Sequence, residues 1–322
     1  MIRAGIVGGA GYTGGELIRL LLNHPQCEIA WVYSRSKAGQ RIDSVHKDLA
    51  GESDETFISK FSDDADVIFL CMGHGESVRF LAENQIGQNT RIIDLSQDFR
   101  YNENSERLFV YGLPEFNRLQ IMNAQYVANP GCFATAIQLA LLPLAANHLL
   151  QDDIHVSGIT GSTGAGQQPT ETTHYSWRTA NISLYKPFVH QHLREVTQTL
   201  NTLGKQITPP IRFLPFRGNF ARGIFAAVYT KTDQSGKMLE KLYADYYQSH
   251  PFVILSDSHP DVKQVVNTNK AILALSVHEG NVLIEVVIDN LLKGASGQAA
   301  QNMNLMFGLE ETSGLKLKAT AF

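Results

Sequence analysis

At 322 residues the chain is longer than one hydrophobic core usually serves, so two domains are expected. Its make-up, 43% hydrophobic and 18% charged, is that of an ordinary globular protein, and 27 basic against 31 acidic side chains leave a net charge of −4 with no dense basic tract for nucleic acid. The longest apolar run, residues 136–150, is broken by Gln138, Pro143, Asn147 and His148, so no membrane span is expected.

The chain enters a strand at once, Ile2 to Val7, which leaves no room for a leader peptide. Gly8, Gly11 and Gly14 punctuate a turn, Leu17, Ile18, Leu20, Leu21 and Leu22 give the next segment a buried helical face, and residues 29–33 supply a second strand. Strand, glycine turn and helix in this order bring backbone N–H groups close to a pyrophosphate, whose charge the helix N-terminus stabilises. A dinucleotide is therefore expected at Gly8, Gly11, Tyr12, Thr13 and Gly14. A site for NAD places an acidic residue after the second strand, about 20 residues past the glycines, to accept from the ribose hydroxyls. Here stand Ser34, Arg35, Ser36 and Lys37; hydroxyls and cations suit a 2′-phosphate, so NADP(H) is the expected cofactor.

Residues 66–72 read as a buried strand with Cys71 in its core and His74 in the loop beyond. Residues 91–95 make another, an irregular stretch containing Tyr111-Gly112-Leu113-Pro114-Glu115 follows, and residues 125–128 return the chain to the sheet. Asn129-Pro130-Gly131 then delivers Cys132 to the first turn of an alanine-rich apolar helix. Unpaired N–H groups and the helix dipole favour a thiolate there, and the same N–H groups suit the oxyanion formed when a thiolate attacks a carbonyl. Cys27, Cys71 and Cys132 share no metal-ligand spacing, so no metal site is expected, and three cysteines fit a reducing cytoplasm better than a disulfide framework.

Residues 154–159 alternate as a strand and lead into Thr160-Gly161-Ser162-Thr163-Gly164-Ala165-Gly166, whose N–H groups and hydroxyls suit a phosphate. Residues 185–196 enter a helix that continues through Leu200 and Leu203, with His190, His192 and Glu195 at its start. Their order is not that of a zinc protease, and their spacing by itself reads as a solvated helix face. Paired with a thiolate, however, one imidazole would serve as acid and base. Strands at 211–215 and 223–230 and a hairpin of 271–277 with 282–288 give the second domain an antiparallel or mixed sheet. Residues 289–298 lead into an amphipathic segment through Met306 that is expected to return to the first domain.

Residues 127–143, centred on Asn129-Pro130-Gly131-Cys132-Phe133-Ala134-Thr135-Ala136, resemble the active-site segment of the N-acetyl-γ-glutamyl-phosphate reductases of arginine biosynthesis. Residues 8–17 resemble that family's cofactor turn, His190-Gln191-His192 with Glu195 its His-x-His-x-x-Glu segment, and Lys293-Gly294-Ala295-Ser296-Gly297-Gln298-Ala299 its closing cofactor-contacting stretch. Two positions depart from the pattern: Arg194 stands where proline is usual, and Gln167 follows Gly-Ala-Gly where arginine is common.

The resemblance implies an α/β fold: a Rossmann-type NADP-binding domain of residues 1–130 with 298–322, and an α+β catalytic domain of residues 131–297. It implies an NADPH-dependent oxidoreductase that reduces an N-acyl-γ-glutamyl phosphate to the semialdehyde and inorganic phosphate through a thioester on Cys132, in the cytoplasm, as a homo-oligomer (dimer or tetramer). His192 or His190 would carry protons. Arg100, Asn129, Glu195 and Arg222 would bind substrate, and Gly164, Asn290, Lys293 and Gly294 would complete the cofactor site. Among the cations, Arg222 comes first and Arg217 after it, because a guanidinium fork matches carboxylate and phosphate; Arg178 reads as a surface residue. N-acetyl is the default acyl group and N-succinyl the alternative. An aspartate-semialdehyde-dehydrogenase-like reductase is the nearest other enzyme, and an NADP-sensing regulator, needing neither the thiol nor the histidines, is the non-enzymatic alternative.

Overall fold

The structure, a computed structural model, describes every residue except 63, 102–106, 205–208 and 321–322. The chain divides into two compact units, Met1–Pro130 with Ala295–Lys316, and Gly131–Gly294 with Leu317–Phe322. The return to the first unit falls at Ala295, where 298 was expected: Ala295 accepts from Asn129 Nδ2 and Ser296 Oγ donates to the Thr13 carbonyl within that unit. The end of the chain departs as well: Asn267 Nδ2 donates to the Lys318 carbonyl within the second unit.

The first unit contains β1 (Ile2–Val7), α1 (Tyr12–Leu22), β2 (Cys27–Tyr33), α2 (Ile42–Val45), β3 (Val67–Leu70), α3 (Glu76–Glu83), β4 (Arg91–Asp94), β5 (Val110–Tyr111), α4 (Pro114–Met122) and β6 (Tyr126–Ala128). All strand pairs are parallel, in the order β2-β1-β3-β4-β6-β5. A parallel sheet is buried on both faces, which is why β3 is the unbroken apolar run Val-Ile-Phe-Leu. Helix α1 presents Leu17, Ile18 and Leu21 to one of its two cores.

Two elements differ from the sequence reading. The stretch taken as irregular holds α4, which starts with Pro114 at its first turn and is interrupted by non-helical geometry at Asn117. Leu119 and Met122 stay exposed, so the helix never shows a continuous apolar stripe. The C-terminal helix (Gly297–Met306), expected to be amphipathic, is buried at every position. Three of its polar side chains bond inside the unit: Asn302 donates to the Gly112 carbonyl, Gln301 donates to Glu311, and Asn304 bonds His24 and the Glu311 carbonyl.

The second unit contains α5 (Cys132–Ala146), β7 (Ile154–Thr160), α6 (Tyr175–Arg178), β8 (Ser183–Leu184), α7 (His192–Gly204), β9 (Ile211–Arg217), β10 (Ile224–Lys231), α8 (Gly236–Tyr247), β11 (Val253–Ser256), β12 (Ala271–His278) and β13 (Asn281–Ile288). Its sheet runs β11-β12-β13-β10-β7-β9-β8 and is mixed, with β7–β9 and β11–β12 parallel and the other pairs antiparallel. Glu279 and Gly280, at φ 46° and 74°, turn the β12–β13 hairpin with the positive φ pair that such two-residue turns demand.

Helices α5, α7 and α8 cover one sheet face, where Phe133, Ile137, Leu200 and Tyr243 meet Val156, Phe213, Ala226 and Ile284. Pro143 sits inside α5 and cannot donate to the Leu139 carbonyl four residues back; the Tyr247 hydroxyl on α8 donates to it instead. The opposite sheet face carries the partly exposed Phe225, Ala227, Leu283 and Ile272, with His155 stacked on Tyr229 at 4.8 Å. No helix among the described residues is long and apolar enough to cross a membrane.

Candidate active site

Cys132 is the first residue of the 15-residue α5, preceded by Gly131 in extended geometry as the cap residue. No side chain caps this end through a hydrogen bond and no acidic residue occupies the first turn, so the local field favours an anion. The thiol is partly exposed, whereas Cys27 and Cys71 are buried; burial pushes the Cys27 thiol up to about 12 and Cys71 higher still. Cys132 is therefore the cysteine whose position suits nucleophilic chemistry.

Two glycines bring other groups against it. A Cβ on Gly131 would fall 2.3 Å from His192 Nε2, so the His192 ring lies on the backbone immediately before the cysteine. A Cβ on Gly294 would fall 2.8 Å from Cys132 Cβ, so the turn after β13 lies directly on the cysteine. Glu195, 2% exposed, accepts from the Gly131 N–H at 2.9 Å, and its other oxygen lies 4.0 Å from His192 Nε2. Glu195, expected to bind substrate, is thus seen bracing the approach to Cys132.

The two histidines separate by environment. Neither forms a solvated face: His190 is 5% exposed and His192 8%, because the chain entering α7 packs onto α5 rather than over solvent. His190 is ringed by Phe133, Tyr185 and Phe213, and its Nδ1 accepts from the His192 backbone N–H at 3.3 Å. Burial first, and Lys186 second, push the His190 pKa down to about 4, so it is a neutral ring that orients α7. His192 faces Gly131, the residue before Cys132.

Asp289, which the sequence reading did not single out, is fully buried and organises the turn beyond β13. One oxygen accepts from the Leu291 and Leu292 N–H groups and the other from Arg222 Nε and the Asn267 N–H, while its carbonyl accepts from Gly294 N–H. Arg222 is consequently held as an ion pair at 2.9 Å with its side chain 18% exposed. Asn290 is spent on the Gly223 N–H and Thr163 Oγ1, and Gly164 lies beside Thr160 and Asn290. Lys293 is fully buried near the Phe252 ring. Asn290 and Lys293, expected to contact cofactor, are both buried in the second unit.

In the first unit, Gly8 adopts φ 79° and its Cβ would strike the Cys71 carbonyl at 2.6 Å, while a Cβ on Gly14 would meet Gly9 Cα at 2.6 Å. At Gly11, the cap residue of α1, the nearest atom is 3.6 Å away and no side chain caps the helix. A bare helix N-terminus behind a turn that admits no side chain at Gly8 or Gly14 fits a pyrophosphate. His46, missed in the sequence, supports this turn by bonding the Gly9 carbonyl at 2.8 Å, and Gly15 is a glycine because the same ring fills its Cβ space.

Tyr12 is exposed, and the Thr13 carbonyl is taken by Ser296. Ser34 is buried, Ser36 is exposed, Lys37 is half-buried, and Arg35 pairs with Glu83 at 3.1 Å, an exposed pair of little energy. Arg100 and Asn129, expected to bind substrate, are buried within the first unit. Arg100 donates to the Asn129 and Leu95 carbonyls, and Asn129 uses both ends of its amide on Ala295 and Asn302.

A family model described as "Semialdehyde dehydrogenase, NAD binding domain" matches residues 3–124, and another, "Semialdehyde dehydrogenase, dimerisation domain", matches residues 132–290. Aspartate semialdehyde dehydrogenase II of Vibrio cholerae, complexed with ASA, superposes with a TM-score of 0.73 over 96% of this chain and 98% of its own, at 17% identity. The NADP-containing aspartate semialdehyde dehydrogenase of Candida albicans gives 0.70 over 95% and 99%, at 14% identity. These two share the fold. The N-acetyl-gamma-glutamyl-phosphate reductases of Christiangramia forsetii and Parabacteroides distasonis are 55% and 54% identical to it, across 100% of both chains in each case. With full-length identity at that level and the cysteine, histidine and glutamate brought together at the start of α5, the chain belongs to the N-acetyl-γ-glutamyl-phosphate reductase family.

Proposed function

We propose that the chain reduces N-acetyl-γ-glutamyl phosphate to N-acetylglutamate semialdehyde, releasing inorganic phosphate, with NADPH as reductant and Cys132 as nucleophile. The observation that carries this reading is Cys132 at the uncapped start of α5 with His192 against Gly131 and Glu195 holding the Gly131 N–H. The Cys132 thiolate attacks the acyl carbon; the N–H groups of the first α5 turn hold the oxyanion; the C–O bond to phosphate breaks and a thioester remains. NADPH, when bound, supplies the hydride that converts the thioester carbon to a thiohemiacetal. His192 gives a proton to the thiohemiacetal oxygen as the hydride arrives and takes it back as the C–S bond breaks, which frees the aldehyde and regenerates the thiolate. His190 keeps α7 in place, Glu195 fixes the backbone before the nucleophile, and Arg222, aimed by Asp289, receives a substrate anion.

The protein works in the cytoplasm as a homo-oligomer. Its partner surface is the uncovered sheet face bearing Phe225, Ala227, Leu283 and Ile272, read as the contact with a second copy. Sedimentation of Phe225→Glu should show a smaller species than the wild type, and unchanged size would move the interface elsewhere. The deciding experiment for the activity is Cys132→Ser in the reverse, phosphate-dependent oxidation of the semialdehyde. Turnover should vanish while NADP still binds; a wild-type rate would overturn the mechanism.

A further inference from the structure

Two guanidinium groups of the second unit interact with one another, and no carboxylate among the described residues pairs with either. Arg178, expected at the surface, is only 6% exposed. It is tied down by donating to the Arg217 carbonyl and, at 2.8 Å, to Ser183 Oγ on the neighbouring edge strand β8. Arg217 ends β9, with its guanidinium 4.9 Å from the centre of the Tyr185 ring and Nη1 3.3 Å from Thr172 Oγ1. The Nε–H groups of both arginines are buried and bond to nothing among the described residues. Neither arginine makes an ion pair with a described carboxylate, although Glu171 is next to Thr172 in the chain. Burial, and the charge of Arg217, hold the Arg178 guanidinium below its ordinary pKa.

Keeping two like charges together in a partly dry place is costly unless an anion joins them. A continuous run of rings links this pair to Cys132: Arg217 lies over Tyr185, Tyr185 is 5.7 Å from His190, His190 is 4.6 Å from His192, and His192 covers Gly131. We infer that Arg178 and Arg217 form an anion subsite that receives a carboxylate of the substrate at a distance from the reacting carbon. This rests on the reading of the protein as an acyl-phosphate reductase. The carboxylate is either the one on the glutamyl α-carbon or one at the end of a dicarboxylic N-acyl group. Both are planar and both fit guanidinium forks.

The test compares the wild type with Arg217→Met and Arg217→Lys in the semialdehyde oxidation, using N-acetyl and N-succinyl substrates and varying phosphate separately. Arg217→Met should raise the semialdehyde KM at least about tenfold with little change in kcat, and lysine should restore part of it. A loss shared by both substrates assigns the α-carboxylate; a loss confined to the N-succinyl compound assigns the acyl carboxylate. A rise in the phosphate KM alone, or no change in any KM, overturns the subsite. Calorimetric titration with N-acetylglutamate and N-succinylglutamate gives a readout independent of turnover. If the wild type binds them and Arg217→Met does not, the subsite stands even where oxidation of both semialdehydes is absent and the activity reading has failed. Equal binding by both proteins refutes it.

Discussion

A single methyl group at residue 131 should disable the proton carrier and leave the nucleophile in place. The Cβ of Gly131→Ala would stand 2.3 Å from His192 Nε2, 2.6 Å from Cδ2 and 2.7 Å from Cε1, where ordinary contact begins at 3.4 Å; the ring must retreat by 3.4 − 2.3 = 1.1 Å. The backbone is no obstacle, since φ −71° and ψ 151° suit alanine as well as glycine. A shift of that size in a catalytic group costs roughly 10²-fold in rate. The forced repacking costs about 1–3 kcal/mol of stability, too little to unfold a domain of ordinary stability. In the phosphate-dependent oxidation, kcat should therefore fall about a hundredfold, while iodoacetamide still alkylates Cys132 at close to the wild-type rate and thermal melting drops by only a few degrees. A kcat within about threefold of wild type would show that His192 does not act where its ring now lies.

Glu195→Gln keeps an oxygen for the Gly131 N–H whereas Glu195→Ala does not, so the first should retain far more activity than the second; equal losses would mean that the charge, not the brace, matters. His190 is buried with its pKa lowered to about 4, so the unfolded chain binds the extra proton first: its contribution is complete above the unfolded value near 6.5 and is lost as pH falls toward 4. Across that window the wild type should lose on the order of 3 kcal/mol of unfolding free energy more than His190→Asn, and parallel stability curves would dismiss the effect. Gly14→Ala, whose Cβ would strike the Gly9 backbone, should weaken NADP binding at least about tenfold without changing Cys132 alkylation, and unaltered affinity would remove the turn from the cofactor site. Replacing Arg35 and Lys37 by alanine should erode a preference for NADPH over NADH; an unchanged ratio of specificity constants would refute the charge reading of that loop.

The fold class was legible because its signals are local. The turn of Gly8, Gly11 and Gly14 between a strand and a helix, the apolar run of β3, and the alternation along the β12–β13 hairpin each report on a few consecutive residues. Cys132 at a helix start was legible for the same reason, since Pro130-Gly131 marks the boundary. What escaped depends on residues far apart in the chain. Asp289 collects N–H groups from residue 267 and from 291–292 together with the Arg222 side chain, and no spacing announces that. His46 reaches the glycine turn from 37 positions away. The C-terminal helix has the polar composition of a surface helix, and only its buried partners explain the amides at 301, 302 and 304. Arg178 was misjudged because a charged residue is ordinarily outside, and its burial is visible only once β8 lies beside β9.

The half-clad sheet of the second unit, read as the contact between copies, would tie the durability of this protein to how much of it is present. If the face bearing Phe225 and Leu283 is closed by a second copy, association stabilises only folded chains, and the free energy gained grows with the logarithm of protomer concentration. Melting temperature should then climb on concentration and sink on dilution, as it would not for a chain that completes its own core. An assay begun from a dilute stock would report a slow decline in rate that reflects separation of copies rather than damage to Cys132. Expression level would in that way set the working lifetime of the protein as firmly as any residue in its core.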